Sequence, residues 1–270
     1  MISIVERFFW REPVLGLSVG CLVVLIPPTA VAVVLDDRMV DGVNVWIKPL
    51  KFEVSLAVFL ATVLWATDWL PAGVTERLDY RLYSISIAAC VALEMGWIAL
   101  ASALGVRSHF NVEQSAWRVI YPWMGFVAMY LTSIAAVYGV LIIGSSDPSR
   151  PAAMRLAVGL GFLLTFALTL VVAGALATSS GASLGGSPHG SQTPIVGWRR
   201  DGPDLRAAHF LATHAAVIIP VVSWLILHWV SAGMAFVSVW VVSSVFSATV
   251  GLFFLEAIRG HPVWSVFRLW

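Results

Sequence analysis

The chain has very little charge. Only 11% of its 270 residues are Asp, Glu, Lys or Arg, and 59% are apolar, whereas a soluble domain carries about 25% charged residues. The formal net charge of +1 excludes the strongly basic surface typical of proteins that bind nucleic acid. The two cysteines, Cys21 and Cys90, lie in apolar stretches and indicate buried free thiols. The composition therefore predicts an integral membrane protein, with residues 1–270 forming a single polytopic domain.

Long apolar runs are abundant, and each is long enough to cross a bilayer as a helix. They predict an all-α protein with seven transmembrane helices in one bundle. The predicted spans are Val14–Leu35, Leu50–Leu70, Leu82–Leu104, Ala116–Gly144, Ala153–Thr178, Ala207–Val230 and Ala232–Ile258. Pro27 and Pro28 are expected to kink the first span and Pro220 the sixth. Ala30-Val31-Ala32 also fits a signal-peptide cleavage site, but the run continues through Leu35, which favours a retained helix.

The polar passages lie in alternate loops. A long Gly/Ser-rich loop, residues 178–206, joins the fifth and sixth helices. With seven spans, the first, third and fifth loops share one side of the membrane, which we call the motif face. This face carries more Lys and Arg than the other, which predicts that it is cytoplasmic and that the chain lies in a bacterial inner membrane. The excess of Lys and Arg disappears when four cations that are themselves candidates for function are left out of the count, namely Lys48, Lys51, Arg107 and Arg206.

Several cations cluster at predicted helix starts on the motif face. Helix N-termini attract anions, so cations placed there indicate a site for an anionic small molecule or lipid head group. The candidate anion-binding residues are Lys48, Lys51, Arg107, Arg206 and Asn111. The alternative is that the long side chains extend to lipid phosphates and set the topology, and that Asn111 caps the fourth helix.

Three residues are candidates for catalysis. Glu94 lies about 15 Å deep in its span, where a carboxylate must be protonated or paired. His209 is a candidate base and Asp204 a candidate acid or base near the start of the sixth helix. Glu94 could instead form a structural ion pair, and Asp204 could serve as a helix-start residue.

His109 and His214 are the candidate metal ligands. His209 and His214 are five residues apart, about 140° around an ideal helix, so the two cannot ligate one metal unless the helix is irregular between Ala207 and Leu211. The favoured interpretation gives a metal to His109 and His214 and leaves His209 as a base. Haem ligation and structural, hydrogen-bonded histidines are the alternatives.

The polar passages resemble those of a family of bacterial multi-pass membrane proteins that has no established activity. The resemblance is carried by Trp46–Phe52 (WIKPLKF), by Gly105 with Arg107–Asn111 (RSHFN), and by Gly197–His214 (GWRRDGPDLRAAHFLATH). The family pattern has Gln-Ala-Ala-Arg before the glycine of the second motif, where this chain has Ala101–Leu104 (ASAL). The resemblance implies a choice of residues and no particular reaction.

Three functions fit the sequence. The first is a membrane-embedded enzyme whose polar site at the motif face acts on an anionic or lipid-like substrate, with or without a metal. The second is a haem-binding redox protein, and the third is a transporter or anion channel in which Glu94 couples a proton. Clustering of the polar groups at one end of the helices favours the enzyme, because no complete polar path across the membrane is visible.

Overall fold

The computed structural model describes residues 12–109, 115–178, 198–200, 202–262 and 265, and these are almost entirely helical. Asn111 and most of the predicted loop 178–206 lie outside the described residues. The helices are α1 (Pro13–Leu35), α2 (Ile47–Ala66), α3 (Leu78–Leu104), α4 (Ser115–Gly144), α5 (Ala152–Thr178), α6 (Leu205–Thr213), α7 (Ala215–Leu227) and α8 (Ala235–Ile258). Short 3-10 turns, Thr67–Trp69, Val74–Glu76 and Ala232–Met234, flank α2, α3 and α8.

The helices confirm an all-α integral membrane protein. Six of them, some extended by a 3-10 turn, are long and apolar enough to cross a bilayer, and the number reaches seven if α6 and α7 form one bent span. The segment around α2 begins at Ile47, three residues before the predicted start, so that Lys48 and Pro49 belong to its first turn. α1 runs without a break through Pro27 and Pro28.

The bend in the sixth predicted span lies at His214 and not at Pro220. α6 and α7 meet there at 58°, whereas Pro220 sits inside α7. The backbone N–H of Ala216 donates to the hydroxyl of Thr165 on α5 at 2.8 Å. A side chain from a neighbouring helix thus satisfies a donor that an unbroken helix would satisfy with its own carbonyl, which stabilises the break.

A β-hairpin links α1 to α2. Strands β1 (Met39–Val40) and β2 (Val43–Asn44) pair antiparallel. The two turn residues, Asp41 and Gly42, have φ of 54° and 74°, which is the left-handed backbone that a two-residue hairpin turn requires. The turn presents the Asp41 carboxylate near the segment that follows α3.

The chain divides into two compact units, an N-terminal unit of residues 1–134 and a C-terminal unit of residues 135–270. In the N-terminal unit α1 packs chiefly on α2, and α3 packs on both. In the C-terminal unit α5 packs on α6, α7 and α8. Gly139 of α4 lies so close to α5 that an added Cβ would come within 2.8 Å of the Gly159 carbonyl oxygen.

Candidate functional site

Lys48 and His109 meet in the N-terminal unit. Lys48 Nζ lies 2.9 Å from His109 Nδ1, and the Ser108 hydroxyl lies 3.0 Å from the same nitrogen. Rings surround this contact, because Phe52 and Tyr121 lie 6.2 and 5.7 Å from the His109 ring. The first turn of α2 thus supplies the cation, and the segment after α3 supplies the histidine.

The segment after α3 turns back along its own helix. Gly105 ends α3 with φ of 65°, a left-handed helix end that glycine adopts without strain. The indole N–H of Trp97 then donates to the Ser108 carbonyl at 2.8 Å. Trp97 lies seven residues before Leu104, about 10 Å along the helix. His109 therefore lies alongside the last turns of α3, before the C-terminal end of that helix, and level with the start of α2.

Burial and the nearby ammonium of Lys48 lower the pKa of His109 to about 3. The imidazole is consequently neutral at physiological pH. A charged ammonium has no acceptor, so His109 Nδ1 accepts the hydrogen bond and the ring proton lies on Nε2. In this tautomer neither ring nitrogen offers a lone pair to a metal, whereas Nε2–H can donate to an oxygen of a substrate.

Glu94 is the third member of this group. Its side chain lies on the inner face of α3 and is 3% exposed. Among the described residues, neither carboxylate oxygen has a hydrogen-bond partner, and Lys48 is the cation that acts on it electrostatically. We call Lys48, Glu94 and His109 the KEH cluster. The carboxylate can carry or release a proton without breaking a hydrogen bond to any described residue.

The other predicted anion-binding residues of this unit lie nearer the surface. Arg107 forms a fork with the Asp41 carboxylate in the hairpin turn, with both side chains about half exposed. Lys51 is exposed on α2, one turn beyond Lys48. The anion-binding role of Lys51 and Arg107 stays a prediction, and Asp41 already neutralises part of the charge of Arg107.

Asp204 and Arg206 form a pair in the C-terminal unit. Asp204 is 0% exposed and is the N-cap of α6, accepting from the backbone N–H of Arg206 at 3.0 Å and of Arg199 at 2.9 Å. The guanidinium of Arg206 donates hydrogen bonds to both carboxylate oxygens of Asp204, at 2.6 to 3.1 Å. These four donors occupy the acceptor sites of Asp204, so the geometry fits a structural cap and leaves its predicted catalytic role untested.

His209 and His214 are separated by the end of α6. His209 lies within α6, and His214 occupies the junction with α7. His214 Nδ1–H donates to the Phe210 carbonyl at 2.6 Å, which leaves Nε2 as an acceptor. The irregular backbone lies at His214 itself and not between Ala207 and Leu211. His109 and His214 belong to different units, and the described residues include no group of three His, Cys, Asp or Glu that could hold a metal ion.

Two buried carboxylates are not among the site residues predicted from the sequence. Glu53, 3% exposed, accepts from the Thr29 hydroxyl at 2.7 Å through one oxygen, and its other oxygen has no partner among the described residues. Glu12 precedes α1 and accepts from the Ser84 hydroxyl, and burial raises the pKa of Glu12. Glu53 lies on the same face of α2 as the buried residues Pro49 and Ala57, four positions away on either side.

No protein-family model matches the chain, and neither the curated proteins nor the solved structures include a match to it. The resemblance drawn from the motifs therefore stays a prediction. The assignment of function depends on the geometry of the site alone.

Proposed function

We propose that the protein is a membrane-embedded enzyme whose KEH cluster binds the anionic group of a lipid-like substrate and moves protons to or from it. The single observation that supports this proposal is the contact between Lys48 Nζ and His109 Nδ1, 2.9 Å long. Lys48 also acts electrostatically on the buried Glu94, whose carboxylate has no hydrogen-bond partner among the described residues. A partly buried cation, a neutral donor and a buried carboxylate together supply the components of general acid–base chemistry.

The charges of the cluster suggest how an anion binds. In the free protein the Lys48 ammonium and the Glu94 carboxylate compensate each other. An incoming anion would leave the cluster with a net negative charge, and uncompensated charge is costly in a medium of low polarity. Glu94 therefore takes up a proton as the anion pairs with Lys48. The substrate and the proton enter together, and His109 Nε2–H donates to a substrate oxygen.

The same arrangement supports proton transfer during the reaction. Protonated Glu94 is the acid, and its conjugate base accepts the next proton. His109 stays neutral because of its low pKa, so it orients the substrate and stabilises negative charge by hydrogen bonding. Lys48 holds the anion and fixes the His109 tautomer. Each of these roles depends on the return of the segment after α3 towards α2.

Turnover by the purified protein tests the proposal. Wild type and Glu94→Gln are reconstituted in nanodiscs containing total bacterial lipids, and the lipids are followed by mass spectrometry. We expect an anionic lipid-like species to be consumed by wild type and not by Glu94→Gln. Lipid profiles that stay the same for both proteins, including after addition of soluble cell extract as a source of a second substrate, would contradict enzymatic function.

A proton-coupled transporter is the second candidate, and the break at His214 favours it. Broken spans with helix ends inside the membrane are typical of transporter binding sites, and Thr165 caps such an end here. Anion uptake into proteoliposomes driven by a pH gradient, without chemical conversion of the anion, would select this candidate. Conversion without uptake would select the enzyme.

We further propose that α6 and α7 form one broken span, giving seven transmembrane helices and placing the first, third and fifth loops together on the motif face. The surplus of Lys and Arg on that face supports a cytoplasmic location in a bacterial inner membrane. Cysteine labelling from each side, with one cysteine at Asp41 and another at Gly73, tests the topology. The two positions should react from opposite sides.

A further inference from the structure

A shallow groove runs between α1 and α2 in the N-terminal unit. Its volume is about 290 Å³, and its lining is wholly apolar, including Val19, Val23 and Ile26 of α1 and Val54, Val58 and Ala61 of α2. From Ala61 to Val54 the groove follows α2 for about 10 Å. This space suits one extended hydrocarbon chain better than a compact ligand.

The groove leads towards a cation. Lys51, Val54, Val58 and Ala61 are spaced by three, four and three residues, so they lie in one stripe along α2. Lys51 is exposed at the end of this stripe that points to the motif face. It lies about 4.5 Å along the helix axis from Val54. An amphiphile in the groove would place its head group at Lys51, one turn from Lys48.

We propose that this groove holds the single hydrocarbon chain of an anionic amphiphile that is the substrate of the KEH cluster. This inference rests on the proposed function. The charge at one end and the purely apolar lining at the other match an anion with an aliphatic tail. Lys51 captures the head group at the membrane surface, and Lys48 receives it next. The substrate therefore arrives from the bilayer and not from the aqueous phase.

Photolabelling in nanodiscs tests this site. The probe is a decanesulfonate with a diazirine on its chain, because a sulfonate keeps one negative charge at every working pH. We expect label on the groove residues of α1 and α2, with protection by unlabelled decanesulfonate and none by decanol, which has the same chain without the charge. Equal protection by both, or label spread evenly over the lipid-facing helices, would show ordinary lipid contact and overturn the proposal.

Three variants test whether labelling depends on the groove and on Lys51. Ala61→Phe fills the groove from its lipid-exposed side and should abolish labelling there, whereas Ala89→Phe puts the same ring on another exposed position, on α3, and should leave labelling unchanged. Lys51→Gln should lower labelling about fivefold, since a cation near a charged head group contributes about 1 kcal/mol. Undiminished labelling in Ala61→Phe would also overturn the proposal.

Failure of the groove proposal can be distinguished from failure of the proposed function. Binding of butanesulfonate, whose chain is too short to follow the groove, reports on the KEH cluster alone. Proton uptake with butanesulfonate but no specific groove labelling would leave the proposed function standing and remove the groove. Specific groove labelling without proton uptake would contradict the proposed function; the groove would remain an amphiphile-binding site, but not one that supplies substrate to the KEH cluster.

Discussion

The indole N–H of Trp97 donates a 2.8 Å hydrogen bond to the carbonyl of Ser108, and this bond determines where His109 lies. The backbone bond from Val106 to Ala101 ties the start of this segment to the last turn of α3, and the bond from Trp97 ties Ser108 to the turn before it. The Trp97 ring also packs against the tilted ring of Trp117, with centroids 4.1 Å apart, so the donor itself is fixed. The candidate site thus depends on a tryptophan that contacts none of its three members through a hydrogen bond.

Trp97→Phe should therefore release His109 from Lys48. The phenyl ring can still pack on Trp117, but the Ser108 carbonyl loses its donor, at a cost of about 1–3 kcal/mol if it stays buried. ¹⁵N NMR of labelled histidine should show that the His109 signal of the Nε2–H tautomer shifts towards a tautomer mixture. Trp123→Phe, at an exposed position on α4, is the control and should leave that signal unchanged.

Acid should destabilise the protein through His109. Its pKa is about 3 in the folded state and about 6.5 in an unfolded chain. The unfolded state therefore binds the proton more readily, and stability falls as the pH is lowered from about 6.5 towards about 3. Unfolding in detergent, followed by circular dichroism, should show this loss in wild type. The loss should be smaller in His109→Gln, and an equal loss in both proteins would exclude His109 as the cause.

Asp204→Ala should destabilise the C-terminal unit by about 1–3 kcal/mol, because the start of α6 loses its cap and Arg206 loses its ion pair with this carboxylate. Asp204→Asn should cost less, since its amide oxygen can still accept from the backbone N–H of Arg206. Thermal unfolding of both variants measures the difference. The same ranking is not expected if Asp204 acts in catalysis alone, in which case both variants would unfold like wild type and lose turnover.

Gly139→Ala should loosen the packing of α4 on α5. The new methyl group would lie 2.6 Å from the Leu163 side chain and 2.8 Å from the Gly159 carbonyl oxygen, and the backbone carbonyl cannot move away without shifting α5. We expect a cost of about 1–3 kcal/mol. Gly96→Ala, whose methyl group would meet nothing within 4 Å, is the matched control and should unfold like wild type.

The sequence predicted the helices well because lipid imposes a simple rule. A span must be apolar over about 20 residues, and the predicted bounds agree with those of α1, α3, α4 and α5 to within a few residues. It did not locate the break at His214. Pro220 was the visible signal, whereas the break is stabilised by Thr165, a residue about 50 positions away in the chain.

The sequence predicted part of the site. Loop parity placed Lys48 and His109 on one side of the membrane, and the depth of Glu94 marked it as unusual. The contact between Lys48 and His109 could not be predicted, since it depends on the return of the segment after α3 and on the bond from Trp97 to Ser108. Glu53 is not among the predicted site residues, because a span that begins at Leu50 places it close to the end of the helix. In the structure α2 begins three residues earlier, and the Thr29 hydroxyl donates to the Glu53 carboxylate.

Proton uptake on anion binding is the most direct test of the KEH cluster as the working site. Calorimetry of butanesulfonate binding to wild type, repeated between pH 6 and 9 in buffers of different ionisation enthalpy, gives the number of protons taken up. We predict uptake approaching one proton per anion where Glu94 is ionised in the free protein, and none in Glu94→Gln, which should still bind the anion through Lys48. Binding by wild type without proton uptake at any pH, or unchanged proton uptake in Glu94→Gln, would contradict the assignment of the KEH cluster as the site of anion binding and proton transfer.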